Sequence, residues 1–425
     1  MPPWKPSRIR HLAFLIAVLG TSSCAFDSPT REWAGTVQDS VGIRLVFNPE
    51  QGLWCPGDEW TFSESLTIGA DVGDPDYEFG TVANVQVGSD GSIFVFDQMA
   101  GEIRVFDQHG THLRTMGGRG EGPGEFTRGA AGVFLMDGDR LAVPDLGNQR
   151  ISWMSLEGEF RGSVMASYSG GFPVRWDSDG KGSVIVQRRA MGFNENADLE
   201  AGDPLVRIDR DGIEETLVIL PKAKTVWMEG ATPRFKYFET EPSWDVGPSG
   251  TLRTAMTQEY RIELRGPDGS IHTILIKPSP PRPVTDHDKD RFIELMRGAL
   301  ERAGLSPSSI NRQINNMSFG ATLPAFNQIM EGPDGTTIVQ RIDQIGDLET
   351  IDLSEEMSRR LGSRTWDAFD GEGRFLGTFD LPARFTPMVW QPTAVYGRWL
   401  DDLDRAHVKR LNLVKATPDP DGRCR

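Results

Sequence analysis

The sequence predicts an all-β protein in which one small antiparallel sheet is repeated around a ring, and three observations carry that prediction. Residues 80–126 hold four short alternating runs, at 84–87, 92–97, 102–107 and 112–117, and Asp90-Gly91 supplies the positive backbone dihedral of a tight hairpin. The landmarks of this unit recur downstream: Gly138 follows Gly91 by 47 residues, Asp145 follows Asp97 by 48, and Gly158 follows Gly110 by 48. One four-stranded sheet is unstable by itself, so the copies must stack to share a core. The expected architecture is a six-bladed β-propeller.

The first 23 residues carry Lys5, Arg8 and Arg10, then an apolar run at 12–19, then small residues before Cys24. This is the pattern of a signal peptide, because a spanning helix needs about 20 apolar residues. Cys24 after small residues resembles the lipobox of bacterial lipoproteins, which implies lipidation of Cys24 and makes residues 24–32 a tether. Thr21 stands where that pattern usually has an aliphatic residue, and plain secretion, giving a soluble periplasmic or released protein, is the rival reading. Ala25 in place of Asp favours the outer membrane, facing periplasm or surface.

The full chain has a formal net charge of -16; without the signal, 42 Lys and Arg stand against 61 Asp and Glu, a net charge of -19. Such a surface repels nucleic acid and anionic head groups, so the membrane enters only through the lipid anchor. Export permits a disulfide between Cys55 and Cys424, whose positions approach one another if the chain ends meet in one blade; two free thiols are the alternative.

Two strand-like runs, 43–47 and 60–68, precede the first complete blade and are read as strands that complete the last one. In the third copy Gly180 and Gly212 lie 32 residues apart instead of 19 or 20, so an insertion at 191–203 is expected to protrude. Gly250 and Gly269 restore the spacing of 19 in the fourth copy. A proline-rich connector, 278–283, then leads into Phe292, Leu295, Met296, Ala299, Leu300 and Ala303 at helical spacing, with Thr285 or Asp286 to cap the start and Gly304 the end. A second helix is expected over 307–317, giving a helical insertion at about 285–318 between the fourth and fifth blades. The fifth copy turns at Gly335 and is interrupted as far as Leu361. The sixth, with its turn placed at Gly397, lacks a fourth strand, which fits the spare N-terminal runs. The propeller then spans 33–415 and residues 416–425 form a tail.

The stretches DGSIFVFDQMAGEIRVFDQHG and DRLAVPDLGNQRISWMSLEGEF, with GGRGEGPGEF between them, resemble NHL-type six-bladed β-propellers, in particular exported bacterial six-bladed β-propeller lipoproteins. The resemblance implies a fold and an envelope location. Its members are largely binding or interaction proteins, and fold analogy carries no chemistry with it.

Residues 117–126 have glycines at dinucleotide-loop spacing, but no helix follows, so the segment is read as a tight crossing between blades with Phe126 buried. Arg119 and Glu121 in that crossing are candidate ligand contacts. Arg104 and Arg150 occupy matching positions in the first two blades, and either pair with Asp97 and Asp145 or line the channel to hold an acidic ligand. Glu78, Asn84, Asp97 and Asp145 are the metal candidates of an alternative in which the protein is a calcium-dependent hydrolase or lactonase. His109 and His112 alone among the histidines are close in sequence, and Gly-x-Ser-x-Gly does not occur. The function expected is therefore that of a binding or interaction module for an envelope protein, peptide or glycan. No cofactor is expected, with calcium reserved for the alternative and catalysis left open.

Overall fold

Two turn chemistries, repeated along the chain, cut it into blades. The computed structural model describes residues 32–69, 73–137, 140–166, 171–189, 202–223, 225–229, 232–342, 345 and 362–416. In the hairpin between the first two strands of a blade, Gly91, Gly180, Gly250 and Gly335 take positive φ; Gly138 falls outside the described residues. In the hairpin between the last two, an aspartate closes the turn with its own side chain. Asp107 accepts from the amides of His109 and Thr111 at 2.8 Å each. Asp209 and Asp370 repeat the arrangement with the amides two and four residues on, and Asp401 does so in the turn between the second and third strands of the sixth blade. A side-chain acceptor that mimics a turn carbonyl favours this local geometry over continuation of the strand.

Six sheets result. The first blade comprises Val82–Val87, Ile93–Asp97, Glu102–Phe106 and His112–Gly117, and the second Phe134–Met136, Arg140–Asp145, Arg150–Ser155 and Phe160–Met165. The third is Phe172–Ser178, Ser183–Arg189, Asp203–Asp209 and Glu214–Leu220. The fourth is Pro242–Val246, Leu252–Met256, Arg261–Arg265 and Ile271–Ile276. The fifth holds Gln328–Glu331, Thr337–Ile342, Gly362–Phe369 and Phe375–Asp380. The sixth holds Phe385–Gln391, Ala394–Leu400 and Ala406–Val414, with Thr61–Ile68 pairing antiparallel to Ala406–Val414 as its fourth strand. Thus one N-terminal strand closes the last blade, as the sequence predicts.

The apolar faces meet between blades. Phe94, Phe96 and Val105 of the first blade pack with Leu141, Val143 and Met154 of the second. The ring closes where Ile68, Tyr396 and Val408 of the sixth blade pack with Val82, Val85 and Phe106 of the first. Burying each such side chain contributes about 1.5–3 kcal/mol. An outer strand also closely approaches the last hairpin of the next blade. Gly269 has a φ of 79°, and a Cβ there would lie 2.1 Å from the Leu217 carbonyl oxygen, so only glycine fits that turn.

Three expectations are corrected. Ile43–Phe47 does not join the last blade; it lies parallel to Ile271–Ile276 and, with Thr36–Ser40 outside it, extends the fourth blade to six strands. Its buried Val46 packs with Leu275, Ile262 and Tyr260, a hydrophobic surface that the outer edge of the sixth blade does not offer it. Gly397 is no turn: it sits within Ala394–Leu400, where a Cβ would meet the Thr386 carbonyl oxygen at 2.2 Å. The second helix ends at Asn315, and Met317–Phe319 instead forms a strand parallel to Thr232–Tyr237.

The helical insertion consists of α1 (Asp286–Arg302) and α2 (Pro307–Asn315). Thr285 and Asp288 form a capping box at the start of α1, and Gly304 leaves its end with φ of 78°. Phe292, Met296 and Ile310 of the helices bury against Tyr237 and Phe238, which come from the connection between the third and fourth blades. The two excursions therefore form one small layer resting on the ring.

Between Phe47 and Thr61 the chain runs along the outer edge of the fifth blade, with the Leu53 and Trp54 amides bonded to the Phe375 and Leu376 carbonyls at 3.1 and 2.6 Å. Cys55 in this stretch is buried and disulfide-bonded, and its partner lies outside the described residues, as do Cys24 and Cys424.

Candidate functional site

The first strand of each blade is the innermost, and one of its edges has no strand beside it. Side chains from the preceding blade fill that role. Asn84 Oδ1 accepts from the Val133 amide at 2.9 Å, its Nδ2 donates to the Val133 carbonyl at 2.6 Å, and Gln86 Oε1 accepts from Leu135 at 3.4 Å. Between the fourth and fifth blades, Ser243 Oγ accepts from Ile329 at 3.1 Å and Asp245 Oδ2 from Glu331 at 2.7 Å. Between the third and fourth, Arg175 donates to the Trp244 carbonyl and stacks on its ring, while Asp177 accepts from the Val246 amide. In each junction the two side chains are two residues apart, on one face of a strand.

The last two junctions carry charge. Arg175 lies 3.6 Å from Asp245 and 3.8 Å from Asp177, and the Glu331 carboxylate takes Arg253 Nη1 at 2.7 Å and Ser249 Oγ at 2.6 Å. Burial, and then the neighbouring Asp245 carboxylate, push the Asp177 carboxyl up to about 7, and burial likewise raises Asp245. This network was missed in the sequence, although VRWDS and PSWDV, with polar and charged residues alternating in inner strands, were its signal.

The sequence-predicted residues are placed as follows. Arg104 is buried and lies 3.3 Å from Asp97 Oδ2, while its Nη1 donates to the Glu78 carbonyl at 2.5 Å. Asp97 also accepts from the Gly80 and Thr81 amides at 2.9 and 3.0 Å, which clamps the entry to the first blade. Asp145 does the same at the second blade through the Thr127 amide and hydroxyl. Arg150, however, reaches the carbonyls of Glu121, Gly122 and Glu125 rather than the Asp145 carboxylate. Arg119 donates to the Gln98 and Met99 carbonyls, and Phe126 is buried beneath the crossing. The three guanidinium groups thus tie blade entries to neighbouring loops, and Glu121 is exposed on that crossing.

Glu78, Asn84, Asp97 and Asp145 are not brought together. Glu78 accepts from the Gly73 amide, and the other three are spent on the blade junctions just described. Among the described residues no group of three His, Cys, Asp or Glu side chains could hold a metal ion.

Connections in an antiparallel meander alternate between the two ends of the strands, which sorts the loops. The hairpins after the first and third strands leave at one face and span only two to five residues, for example 88–92 and 107–111. Apart from 48–60, which passes along the outer edge of the fifth blade to enter Thr61–Ile68 from the hairpin face, the long connections leave and return at the other face. These are the crossings 69–81, 118–133, 221–241 and 277–327 and the loops 190–202 and 343–361. The loop predicted at 191–203 therefore starts and ends on this face, though 190–201 lie outside the described residues. Exposed apolar residues occur at both faces, Met99, Met165, Phe172 and Leu403 at or beside connections of this one and Val41, Leu113, Ile213 and Val414 at the hairpin face. A shallow depression opens on the long-connection face, lined among others by Thr225, Glu241 and Phe326; its volume of about 20 Å3 has room for about one water.

Comparison with known proteins agrees with this architecture. Residues 74–164 match the profile of a family described as a 6-bladed beta-propeller, DUF5128. A Bacteroides fragilis protein provisionally described as exported superposes with a TM-score of 0.50 at 9% identity, covering 88% of this chain and 100% of its own. A member of the DUF4221 family from Bacteroides vulgatus gives a TM-score of 0.52 at 11% identity, covering 84% and 99%. At these identities the likeness is one of fold. No curated protein matches the chain.

The charged junction has a pH signature. With its folded value above the ordinary 3.8, Asp177 favours the fold when protonated; that contribution is complete below pH 4 and is lost as pH rises to about 7. Asp177→Asn keeps the acceptor for Val246 and removes the titration. Melting temperature plotted from pH 4 to 7.5 should therefore rise relative to the parent by a few degrees toward the alkaline end. Parallel curves for the two proteins would contradict this assignment.

Proposed function

We propose that this chain is an exported, lipid-anchored binding module of the bacterial cell envelope that engages a protein, peptide or glycan through the face bearing its long connections. The observation that carries the reading is the sorting of loops: apart from 48–60, which runs down the outer edge of the fifth blade, the long connections start and end at one face, together with the helical layer, while the other carries short hairpins. Loops free of packing duty on a rigid scaffold are where binding residues are usually displayed.

Export is supported by the N-terminal pattern that ends at Cys24 and by the description of the Bacteroides fragilis structural relative. No helix among the described residues is long and apolar enough to cross a membrane. Lipidation of Cys24 would convert its sulfur to a thioether, which cannot enter a disulfide. Of the three cysteines, only Cys424 would then remain to pair with Cys55. A bridge across so long a loop constrains the unfolded chain strongly.

The face assignment is tested by photo-cross-linking in cells with a reactive residue placed at Met99 or Leu403, against Gln108 and Asp268 on the hairpin face. Adducts should form from the first pair and not from the second; equal adducts from both faces, or none from either, would refute the reading. Peptide mapping of the membrane-extracted protein without reduction should give a Cys55–Cys424 linked pair and an acylated Cys24. A Cys24–Cys55 pair would rule out the anchor.

A further inference from the structure

The outermost strand of the fourth blade, Thr36–Ser40, differs from every other outer strand of the ring. In the five other blades the outermost strand pairs with its neighbour through a register shift, at Val105/Phe106, Trp153/Met154, Leu205/Val206, Ala368/Phe369 and Glu64/Leu66. Such bulges twist an edge away and discourage pairing with another chain. The fourth blade has one too, between Leu264 and Arg265, but Ile43–Phe47 and Thr36–Ser40 are added outside it in unbroken register. All five side chains of Thr36–Ser40 are exposed, and among the described residues no strand lies along its free side.

The hairpin geometry fixes which groups that free side presents. Ser40 and Ile43 flank the two-residue turn Val41-Gly42, so they and every second pair after them exchange both backbone hydrogen bonds. Val37 and Asp39 fall between these pairs, and their N–H and C=O groups point outward. The Asp39 carboxylate is turned back to the Gly42 amide at 3.3 Å. At the tip, Val41 is wholly exposed and takes a φ of 55°, a position that turns normally give to glycine, asparagine or aspartate. Strain with no compensating contact inside the chain points to a contact outside it.

We propose that this edge pairs antiparallel with the same edge of a second copy, around a two-fold axis through Gln38. In that register Val37 of one copy and Asp39 of the other exchange backbone hydrogen bonds, about four in all, and the two blades form one continuous sheet. The strand overlaps itself over its whole length, Thr36 faces Ser40, and the Gln38 amides, each both donor and acceptor, meet at the axis. No like charges are opposed, whereas a register centred on Asp39 would set two carboxylates face to face. The tip Val41 comes opposite Gly35 of the other copy, a residue covered by the Trp33 ring, since a Cβ on Gly35 would lie 2.2 Å from Trp33 Cζ2. A foreign strand would meet the backbone groups equally well, but the matched side chains and the tip single out the chain itself. Repulsion between the acidic copies is screened at about 0.15 M salt, where the Debye length is about 8 Å. The edge lies on the rim of the ring, so pairing leaves the long-connection face open.

The test places single cysteines in the full chain, exported by its own signal and kept unreduced. Gln38→Cys, which meets itself at the axis, should convert most of the chain to a disulfide-linked dimer. Thr36→Cys and Ser40→Cys each meet a different residue and should stay monomeric. Adding Val37→Pro to Gln38→Cys removes an outward N–H that no group of the same chain uses, and should abolish the dimer with the melting temperature unchanged. With no cysteine introduced, sedimentation at about 0.15 M salt should show the mean mass rising with protein concentration in the parent and not in Val37→Pro. Equal cross-linking at all three positions, none at Gln38, or a dimer indifferent to Val37→Pro would overturn the proposal. So would a Gln38→Cys adduct to a different protein, which would assign the edge to a foreign strand.

Discussion

A ring of sheets leaves the inner edge of every first strand without a strand partner, and the rest of this structure depends on how those edges are satisfied. Unpaired backbone donors and acceptors at an edge either meet water or invite another chain. Here Asn84, Gln86, Ser243 and Asp245 bond the next blade's inner backbone directly. The ring is therefore laced at its axis by side chains as well as packed between its blades. Where the laces are carboxylates, their burial has to be balanced, and Arg175 and Arg253 supply the positive charge.

This arrangement separates two jobs. Hairpins at one face recur with the same aspartate and positive-φ residue, because each must turn within a few residues and receive the outer strand of its neighbour. Connections at the opposite face have no such constraint, so they can lengthen without altering the sheets. The helical layer is the largest of them. It buries Phe292 and Met296 against residues of another crossing, and so joins two connections into one layer.

Much of the ring was legible in the sequence because its determinants are local. Asp90-Gly91, the Asp107 turn and the Thr285 cap each act through atoms within a few residues, and the periodic repeat multiplies the signal. What failed was non-local. The apolar pattern of Ile43–Phe47 fits any outer edge, and only the complementary surface around Leu275 decides that it belongs to the fourth blade. Gly397 reads as a turn because sequence does not reveal a neighbouring carbonyl that excludes a side chain. The candidate site was less legible still. Repeated Arg104 and Arg150 attract attention as ligand contacts, yet they serve the scaffold.

The central claim is that side chains stand in for missing strands along the inner edges. It is tested most directly by amide hydrogen exchange at Val133, Leu135, Ile329 and Glu331, whose N–H groups bond side chains of the preceding blade. The account predicts protection comparable to that of buried second-strand amides such as those of Val95 and Val143, released only by opening of the ring. Exchange at the rate of free edge amides, with the second strands still protected, would contradict it.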